Sequence, residues 1–173
     1  MAKHLILGGA RSGKSLFAEN LALQIYNQAA KNSQLYYLAT CEAADSEMRA
    51  RVLKHKQRRD DGWINVEQPL DIATFLQSNA SNAVILVDCL TLWINNLIYH
   101  KYDVEPAFER LYKVLETSET DIIFVSNELG MGLVPETKLG REFRDFQGLL
   151  NQQLAQKVDK VALIVAGLPL WLK

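Results

Sequence analysis

Short runs of apolar residues recur along the chain, and longer stretches with apolar residues at helical spacing separate them. The apolar runs, each predicted as a buried strand, lie at residues 5–7, 34–40, 83–88, 121–126 and 160–166, with a shorter candidate at 63–67. The predicted helices lie at residues 14–30, 44–59, 70–77, 92–100, 106–116 and 138–158, and residues 167–173 are predicted as a short tail. Strands that are apolar throughout and alternate with helices indicate a mostly parallel sheet with helices on both faces. The pattern therefore predicts one α/β domain spanning residues 1–173.

The first apolar run leads directly into a phosphate-binding motif. Gly8 and the triplet Gly13-Lys14-Ser15 match the P-loop pattern G-x-x-x-x-G-K-[ST], between a predicted strand and a predicted helix. Glycines allow backbone N–H groups to converge on an anion, and the N-terminus of the following helix adds its positive dipole end. The motif predicts a P-loop protein that binds a nucleoside triphosphate, with Lys14 on the β- and γ-phosphates and the Ser15 hydroxyl on Mg²⁺.

Composition narrows the class of protein without deciding the reaction. A length of 173 residues suits one domain with a sizeable core, and a net charge of -1 argues against a general nucleic-acid binder. Apolar runs are too short to span a bilayer, and the glycine-rich segment after Leu7 interrupts any signal-peptide core, so a cytoplasmic location is expected. Cys41 and Cys89 stand far apart, which predicts free thiols in a reducing compartment.

Asp88 occupies the end of the most apolar run. In P-loop proteins an acid at such a strand end holds Mg²⁺ opposite the hydroxyl of the phosphate loop. The alternative is that Asp88 caps the helix that follows it. Both roles are compatible with the sequence, and the phosphate loop independently calls for a metal partner.

The predicted helix at residues 44–59 carries many cations and few apolar residues. Its apolar positions are Met48, Val52 and Leu53, fewer than a helix packed on a core usually shows. Helical spacing places Arg51 and His55 on one face. One interpretation is a solvated basic surface helix with an incidental histidine. The other is a histidine nucleophile that attacks phosphorus while neighbouring cations neutralise the displaced phosphates.

Asn127 and Glu128 follow another predicted strand and precede a loop rich in glycine. A carboxylate at the carboxyl end of a strand is a candidate base for an acceptor hydroxyl, and a turn cap is the equally weighted alternative. The loop's apolar residues Met131, Leu133 and Val134 favour contact with a bulky apolar partner or another subunit.

Taken together, the motifs resemble those of the bifunctional adenosylcobinamide kinase / adenosylcobinamide-phosphate guanylyltransferase family of cobalamin synthesis. The motifs that carry this resemblance lie at residues 8–15, 37–40, 47–51, 55–67, 87–91, 126–135, 144–145 and 166–169. The resemblance spans nearly the whole chain, and its most specific parts are the spacing from His55 to Glu67 and the segment after Ser126.

The resemblance implies a RecA-like fold, a trimer and two activities at one nucleotide site. ATP or GTP would phosphorylate adenosylcobinamide, and GTP would then guanylylate a histidine, from which adenosylcobinamide phosphate takes GMP. By motif position the histidine is His55, Glu128 remains the candidate acceptor base, and Ser15 and Asp88 hold Mg²⁺. The implied nucleotide-binding residues are Gly8, Gly9, Ala10, Arg11, Ser12, Gly13, Lys14, Ser15, Ala39, Thr40, Cys41, Lys56, Gln57, Arg58, Arg59, Glu67 and Asp88.

Two departures and three alternatives accompany this interpretation. Cys41 stands where some relatives carry a small hydroxyl residue, and Lys54 stands where some carry a second histidine. The alternatives are a family member with guanylyltransferase activity alone, a P-loop kinase of another small molecule, and a regulatory GTPase. The last is disfavoured because the chain lacks an Asn-Lys-x-Asp guanine motif.

Overall fold

The structure, a computed structural model, describes residues 1–42, 62–79 and 81–173. The strands are β1 (Lys3–Gly8), β2 (Gln34–Ala39), β3 (Ile64–Glu67), β4 (Ala83–Asp88), β5 (Asp121–Asn127), β6 (Lys160–Val165) and β7 (Leu168–Trp171). The described helices are α1 (Lys14–Gln28), α2 (Ile72–Ser78), α3 (Leu90–Tyr99), α4 (Val104–Thr117) and α5 (Lys138–Lys157). The helix predicted at residues 44–59 lies outside the described residues.

The seven strands form one sheet in the order β3-β2-β4-β5-β1-β6-β7. Every neighbouring pair is parallel except β6 and β7, which are antiparallel. This confirms the predicted α/β class and the mostly parallel sheet.

Both faces of the sheet are buried, which explains why its central strands are apolar at successive positions. Leu5 and Ile85 face a core shared with α2 to α5, whereas Ile6 and Leu86 face a second core shared with α1. All four side chains are fully buried. A strand covered on both faces shows a continuous apolar run rather than alternation.

Side-chain caps fix two of the helix starts. The Asp71 side chain accepts a hydrogen bond from the backbone N–H of Thr74, and Thr137 accepts one from Gly140. These caps place the starts of α2 and α5 at Ile72 and Lys138. None of the helices in the described part of the chain has the length and apolar character needed to span a bilayer.

The prediction of a tail at residues 167–173 is wrong, because Leu168–Trp171 form the edge strand β7. Ala166 and Gly167 both have positive φ, 51° and 81°, and they form a two-residue hairpin turn that pairs Val165 with Leu168. Turns of this type usually show Asn or Asp before Gly, and Pro169 argues against a strand. The sequence signal for β7 is therefore weak.

Parallel pairing brings the predicted site residues to one edge of the sheet. Ala39 at the end of β2 lies between Glu67 of β3 and Asp88 of β4 in the strand register. On the other side of β4, Gly8 at the end of β1 pairs with Asn127 of β5. In open α/β sheets this carboxyl edge is where ligands bind.

Candidate functional site

The phosphate loop turns tightly as it leaves β1. A Cβ atom on Gly8 would lie 2.5 Å from Ser12 Oγ and 2.8 Å from the carbonyl oxygen of Ile164, so no larger residue fits there. Gly13 has a φ of 95°, in the region that favours glycine, and α1 starts at the next residue. These two glycines allow the loop to place its backbone at the N-terminus of α1, as an anion site requires.

Lys14 and Ser15 form the first turn of α1. Lys14 Nζ donates a hydrogen bond to the carbonyl oxygen of Gly9 at 2.9 Å, so its ammonium group folds back over the loop. Both side chains are half-buried, whereas Gly9, Ala10 and Arg11 are exposed at the tip of the loop.

Asp88 is held by a tyrosine, Tyr37, that belongs to one of the family motifs but for which the sequence predicted no role of its own. Tyr37 Oη donates a hydrogen bond to Asp88 Oδ2 at 2.8 Å. The alternative role of Asp88 as a helix cap is wrong, because the N-cap of α3 is Cys89 and no side-chain hydrogen bond caps that helix. Tyr37 itself is buried and packs edge-on against Trp63, with ring centroids 6.0 Å apart.

The buried Cys89 thiol is influenced by charges from both the phosphate loop and the end of β4. The pKa of Cys89 is raised to about 12, mainly by burial; the negative charge of Asp88 contributes to the rise, and the positive charge of Lys14 opposes it. The phosphate-loop lysine and the acid at the end of β4 thus both act electrostatically on this buried thiol, although β5 lies between β4 and β1 in the sheet.

The donor set at this edge fits Mg²⁺. The candidate ligands are the Ser15 hydroxyl and the Asp88 carboxylate, and Mg²⁺ prefers such oxygen donors together with phosphate and water. Tyr37 engages Oδ2 of Asp88, and within the described residues no hydrogen bond occupies Oδ1. One carboxylate oxygen is therefore left for a cation.

Thr40, predicted to contact nucleotide, uses all its polar groups within the protein. Its hydroxyl donates to the Cys89 carbonyl at 2.7 Å and accepts from the Cys89 N–H at 2.9 Å. Its backbone N–H donates to the Asp88 carbonyl, and its own carbonyl accepts from Asn96. Thr40 is fully buried, so this arrangement favours a supporting role for it over direct nucleotide contact.

The other predicted nucleotide contacts divide into two groups. Ala39 and Cys41 lie on either side of Thr40 and are half-buried, and Glu67 is exposed at the end of β3. The remaining residues, His55 and its followers Lys56, Gln57, Arg58 and Arg59, lie outside the described residues.

Glu128 lies beside the start of the phosphate loop. Its backbone N–H donates to the carbonyl of Gly8 at 3.1 Å. Its carboxylate accepts from the backbone N–H of Gly130 at 2.7 Å and from that of Met131 at 3.3 Å. The turn-cap interpretation thus describes its contacts in this structure, and its position keeps it at the edge where an acceptor would be placed.

A buried polar cluster behind Glu128 was also absent from the sequence-based prediction. Ser126 Oγ donates to Asn151 Oδ1 at 2.7 Å, and Gln147 Nε2 donates to Ser126 Oγ at 2.8 Å. Asn151 Nδ2 then donates to the carbonyl of Asn127 at 3.0 Å. The only signal in the sequence is a pair of polar residues, Gln147 and Asn151, spaced by one helical turn among apolar positions of α5.

Comparison with known families decides among the predicted classes. The model of the CobU family, described as cobinamide kinase / cobinamide phosphate guanyltransferase, matches residues 4–172. The chain belongs to this family. The match confirms the family predicted from the sequence motifs and covers every residue placed in the site.

Relatives within the family match over nearly their full length. The bifunctional adenosylcobalamin biosynthesis protein CobP of Pseudomonas aeruginosa is 43% identical, with 99% of this chain and 97% of the relative covered. The bifunctional adenosylcobalamin biosynthesis protein CobU of Escherichia coli is 34% identical, with 98% of each chain covered.

The fold is shared more widely than the family. A KaiC-like protein from Pyrococcus horikoshii superimposes with a TM-score of 0.54 over 94% of this chain and 70% of its own length, at 14% identity. At that identity the likeness concerns the fold alone, and it agrees with the RecA-like architecture.

Proposed function

We propose that this chain catalyses both reactions in its family's description, using one nucleotide site at the carboxyl edge of the sheet. ATP or GTP phosphorylates the hydroxyl of adenosylcobinamide, and GTP then supplies GMP to the resulting phosphate to give adenosyl-GDP-cobinamide. Family membership over residues 4–172 is the observation that carries this proposal. The convergence of the phosphate loop, Asp88 and Glu128 on one edge supports it.

In the kinase step the acceptor hydroxyl attacks the γ-phosphorus and the nucleoside diphosphate leaves. Lys14 and the backbone N–H groups of the loop hold the phosphates and offset the charge that develops on them. Glu128 is the candidate base for the hydroxyl proton. It would have to release the N–H groups of Gly130 and Met131, and the glycines of that loop allow such a rearrangement.

In the guanylyl step the imidazole of His55 attacks the α-phosphorus of GTP. A bond forms between nitrogen and phosphorus, the bond to the β-phosphate oxygen breaks, and pyrophosphate leaves. A phosphate oxygen of adenosylcobinamide phosphate then attacks the same phosphorus and releases His55. The imidazole must be neutral to attack, and the cations close to it in the sequence favour that form by disfavouring a further positive charge.

Ser15 and Asp88 would hold the Mg²⁺ that accompanies the nucleotide. When bound, the cation supplies positive charge against the phosphate oxygens. Tyr37 keeps the Asp88 carboxylate in place through its hydrogen bond to Oδ2.

The decisive experiment follows covalent labelling with GTP labelled at the α-phosphorus. The wild-type chain should take up acid-labile label, because a phosphoramidate hydrolyses in acid, and His55→Ala should take up none. His100→Asn is the matched control, since His100 is an exposed histidine paired with Glu42 outside the phosphate loop. Equal labelling of His55→Ala and wild type would contradict the proposal.

A coupled assay separates the remaining alternatives. With adenosylcobinamide, ATP and GTP present, mass spectrometry should detect both the phosphorylated and the GDP-linked cobinamide. Formation of the second product only from added cobinamide phosphate would indicate a guanylyltransferase alone. Multiple-turnover GTP hydrolysis without cobinamide would favour a GTPase instead.

We further propose that the chain works as a trimer in the cytoplasm. The edge strand β7 supports an assembly, because Leu168, Leu170 and Trp171 are 71%, 57% and 47% exposed and the strand's outer edge is unpaired within the described residues. Cys41 and Cys89 form no disulfide, which suits a reducing compartment. Light scattering coupled to size-exclusion chromatography tests the trimer, and a monomeric mass would contradict it.

A further inference from the structure

The end of β5 carries an amide group that the proposed reaction steps leave unused. Asn127 is the last residue of β5, and its Oδ1 atom is buried. Within the described residues this oxygen accepts no hydrogen bond. A buried acceptor without a donor costs free energy, so its presence in a folded protein calls for an explanation, and a donor supplied by a ligand is one.

The backbone around Asn127 is fixed from both sides. Its N–H donates a hydrogen bond to Thr91 Oγ1 at 2.9 Å, and its carbonyl accepts one from Asn151 Nδ2 at 3.0 Å. The N–H of the next residue, Glu128, donates to the carbonyl of Gly8 at 3.1 Å. These bonds give Asn127 a defined place beside the start of the phosphate loop.

Alternation along β5 shows on which face of the sheet this side chain lies. Ile123 and Val125 belong to the core shared with α1, whereas the intervening Phe124 belongs to the other core. Side chains two residues apart along a strand share a face. Asn127 therefore lies on the face covered by α1, the helix that follows the phosphate loop.

The start of the phosphate loop and the acid at the end of β4 share that face. Gly8 comes two residues after Ile6, and Asp88 comes two residues after Leu86, and both of these apolar residues belong to the core shared with α1. β5 lies between β1 and β4 in the sheet. In the strand register Asn127 pairs with Gly8 and lies two residues beyond the partner of Asp88. The amide thus stands between the phosphate loop and Asp88, towards the carboxyl edge.

This place suits contact with the terminal phosphate of a nucleotide. A triphosphate held by the loop, with its cation on Asp88, has its γ-phosphate between these two groups. An amide offers both a donor and an acceptor. Nδ2 can donate to a phosphate oxygen, but an ionised phosphate has no proton to offer Oδ1. The hydroxyl that attacks the phosphate does have one.

We propose that Asn127 is a catalytic residue for phosphate transfer to adenosylcobinamide, an inference that rests on the function proposed above. Nδ2 donates to a γ-phosphate oxygen, and Oδ1 accepts from the attacking hydroxyl, so one side chain aligns the two reactants. The hydroxyl oxygen bonds to the γ-phosphorus as the bond to the β-phosphate oxygen breaks. The nucleoside diphosphate leaves, and the hydroxyl proton passes to Glu128.

The amide therefore acts mainly on one of the two reactions. Guanylylation attacks the α-phosphorus and does not use the acceptor hydroxyl. The γ-phosphate takes part in that reaction only as a portion of the leaving pyrophosphate. Loss of the amide should separate the two activities, whereas general damage to the site should lower both.

Asn127→Ala tests this by removing the amide while keeping the backbone hydrogen bonds. Asn95→Ala is the matched control, because Asn95 is exposed on α3. Each variant is assayed for phosphate transfer to adenosylcobinamide and for uptake of label from α-labelled GTP, both at saturating nucleotide. Calorimetric titration measures its affinity for GTP and for GDP.

The expected result is a split in both pairs of measurements. Asn127→Ala should lower kcat for phosphate transfer roughly 100-fold relative to Asn95→Ala, as the loss of one positioned donor commonly does, with a much smaller change in labelling. Its affinity for GTP should fall about tenfold, and its affinity for GDP should not change, because GDP has no γ-phosphate.

Two kinds of failure are distinguishable. A folded Asn127→Ala variant that transfers phosphate at the control rate, or that loses phosphate transfer and labelling in equal proportion, would overturn the inference and leave the proposed function intact. A wild-type chain that does not phosphorylate adenosylcobinamide would overturn both.

A second variant covers the case in which Asn127→Ala does not fold. Asn127→Asp keeps nearly the same shape, replaces the Nδ2 donor with an oxygen and adds a negative charge that repels the γ-phosphate. It should lose more affinity for GTP than for GDP. Equal losses for the two nucleotides would count against contact between Asn127 and the γ-phosphate.

Discussion

The backbone N–H of Gly167 donates a hydrogen bond to the carbonyl of Ser12 at 2.8 Å. The hairpin turn between β6 and β7 thus supports the phosphate loop from the side. A Cβ atom on Gly13 would lie only 3.1 Å from the Gly167 Cα, so the two backbones approach closely. The Phe17 and Trp171 rings add an edge-on contact between α1 and β7, with centroids 6.1 Å apart.

Gly167→Ala should weaken both folding and nucleotide binding. Gly167 has a φ of 81°, and a Cβ there would meet no atom within 4 Å, so the cost is backbone strain. We expect a loss of about 1 kcal/mol in unfolding free energy. Nucleotide affinity should fall as well, because the strained turn bonds to the loop.

Gly148→Ala is the control for that substitution. Gly148 lies within α5, and a Cβ there also meets no atom within 4 Å. Alanine favours the helix, so this variant should gain about 0.5–1 kcal/mol and keep its nucleotide affinity. Urea unfolding and calorimetric titration with GTP measure both quantities. Unchanged affinity in a destabilised Gly167→Ala would show that the turn does not support the loop.

Lys14→Ala should lose most of its triphosphate affinity and both activities. The ammonium lies over the phosphate loop, and charged hydrogen bonds of this kind contribute about 1.5–3 kcal/mol, so affinity should fall roughly 10- to 100-fold. Lys113→Ala, on the exposed side of α4, removes a similar charge away from the loop. Full kinase turnover in Lys14→Ala would disprove the phosphate-loop assignment.

Tyr37→Phe should raise the Mg²⁺ concentration needed for half-maximal kinase rate. The substitution removes the hydroxyl that donates to Asp88 Oδ2. Removing a residue that hydrogen-bonds to a metal ligand commonly lowers metal affinity or activity by about tenfold or more. Tyr36→Phe is the control, because its hydroxyl donates to Gln34 instead, at 2.6 Å. If both variants need the same Mg²⁺ concentration, the Tyr37 hydroxyl does not contribute to metal binding.

The features that could be predicted from sequence are those encoded in consecutive residues. The phosphate loop and the central strands follow from local spacing and from continuous apolar runs. The contacts that support the site are long-range instead. Tyr37 and Asp88 are 51 residues apart, and Thr40 and Asn96 are 56 apart. Their pairing depends on the order of strands in the sheet, which no local pattern specifies.

The two cysteines should differ widely in their reactivity. Cys89 is buried at the N-terminus of α3, and burial raises its pKa to about 12, so almost none of it is thiolate near neutral pH. Cys41 is half-buried. Short treatments with iodoacetamide, read by mass spectrometry, should modify Cys41 at least about 100-fold faster than Cys89. Cys41→Ser should abolish this rapid labelling, and rapid labelling of Cys89 in the folded chain would contradict its burial.

His4 should make folding stability depend on pH near neutrality. Burial lowers the pKa of His4 below its ordinary value of 6.5, although the nearby carboxylates Asp121 and Asp159 oppose the shift and Lys160 adds to it. The unfolded chain therefore binds a proton more readily than the folded chain. Stability from this residue is complete above the ordinary pKa and falls as pH drops from there towards the folded-state value, with a slope of at most about 1.4 kcal/mol per pH unit.

His4→Leu provides the comparison, because leucine suits the same buried strand position and does not titrate. Urea unfolding between about pH 7.5 and about pH 5.5 should show a larger loss of stability for wild type than for His4→Leu. Other groups that titrate in this range contribute equally to both proteins, so the difference in slope isolates His4. Identical slopes would mean that the imidazole takes up its proton in the folded chain as readily as in the unfolded one.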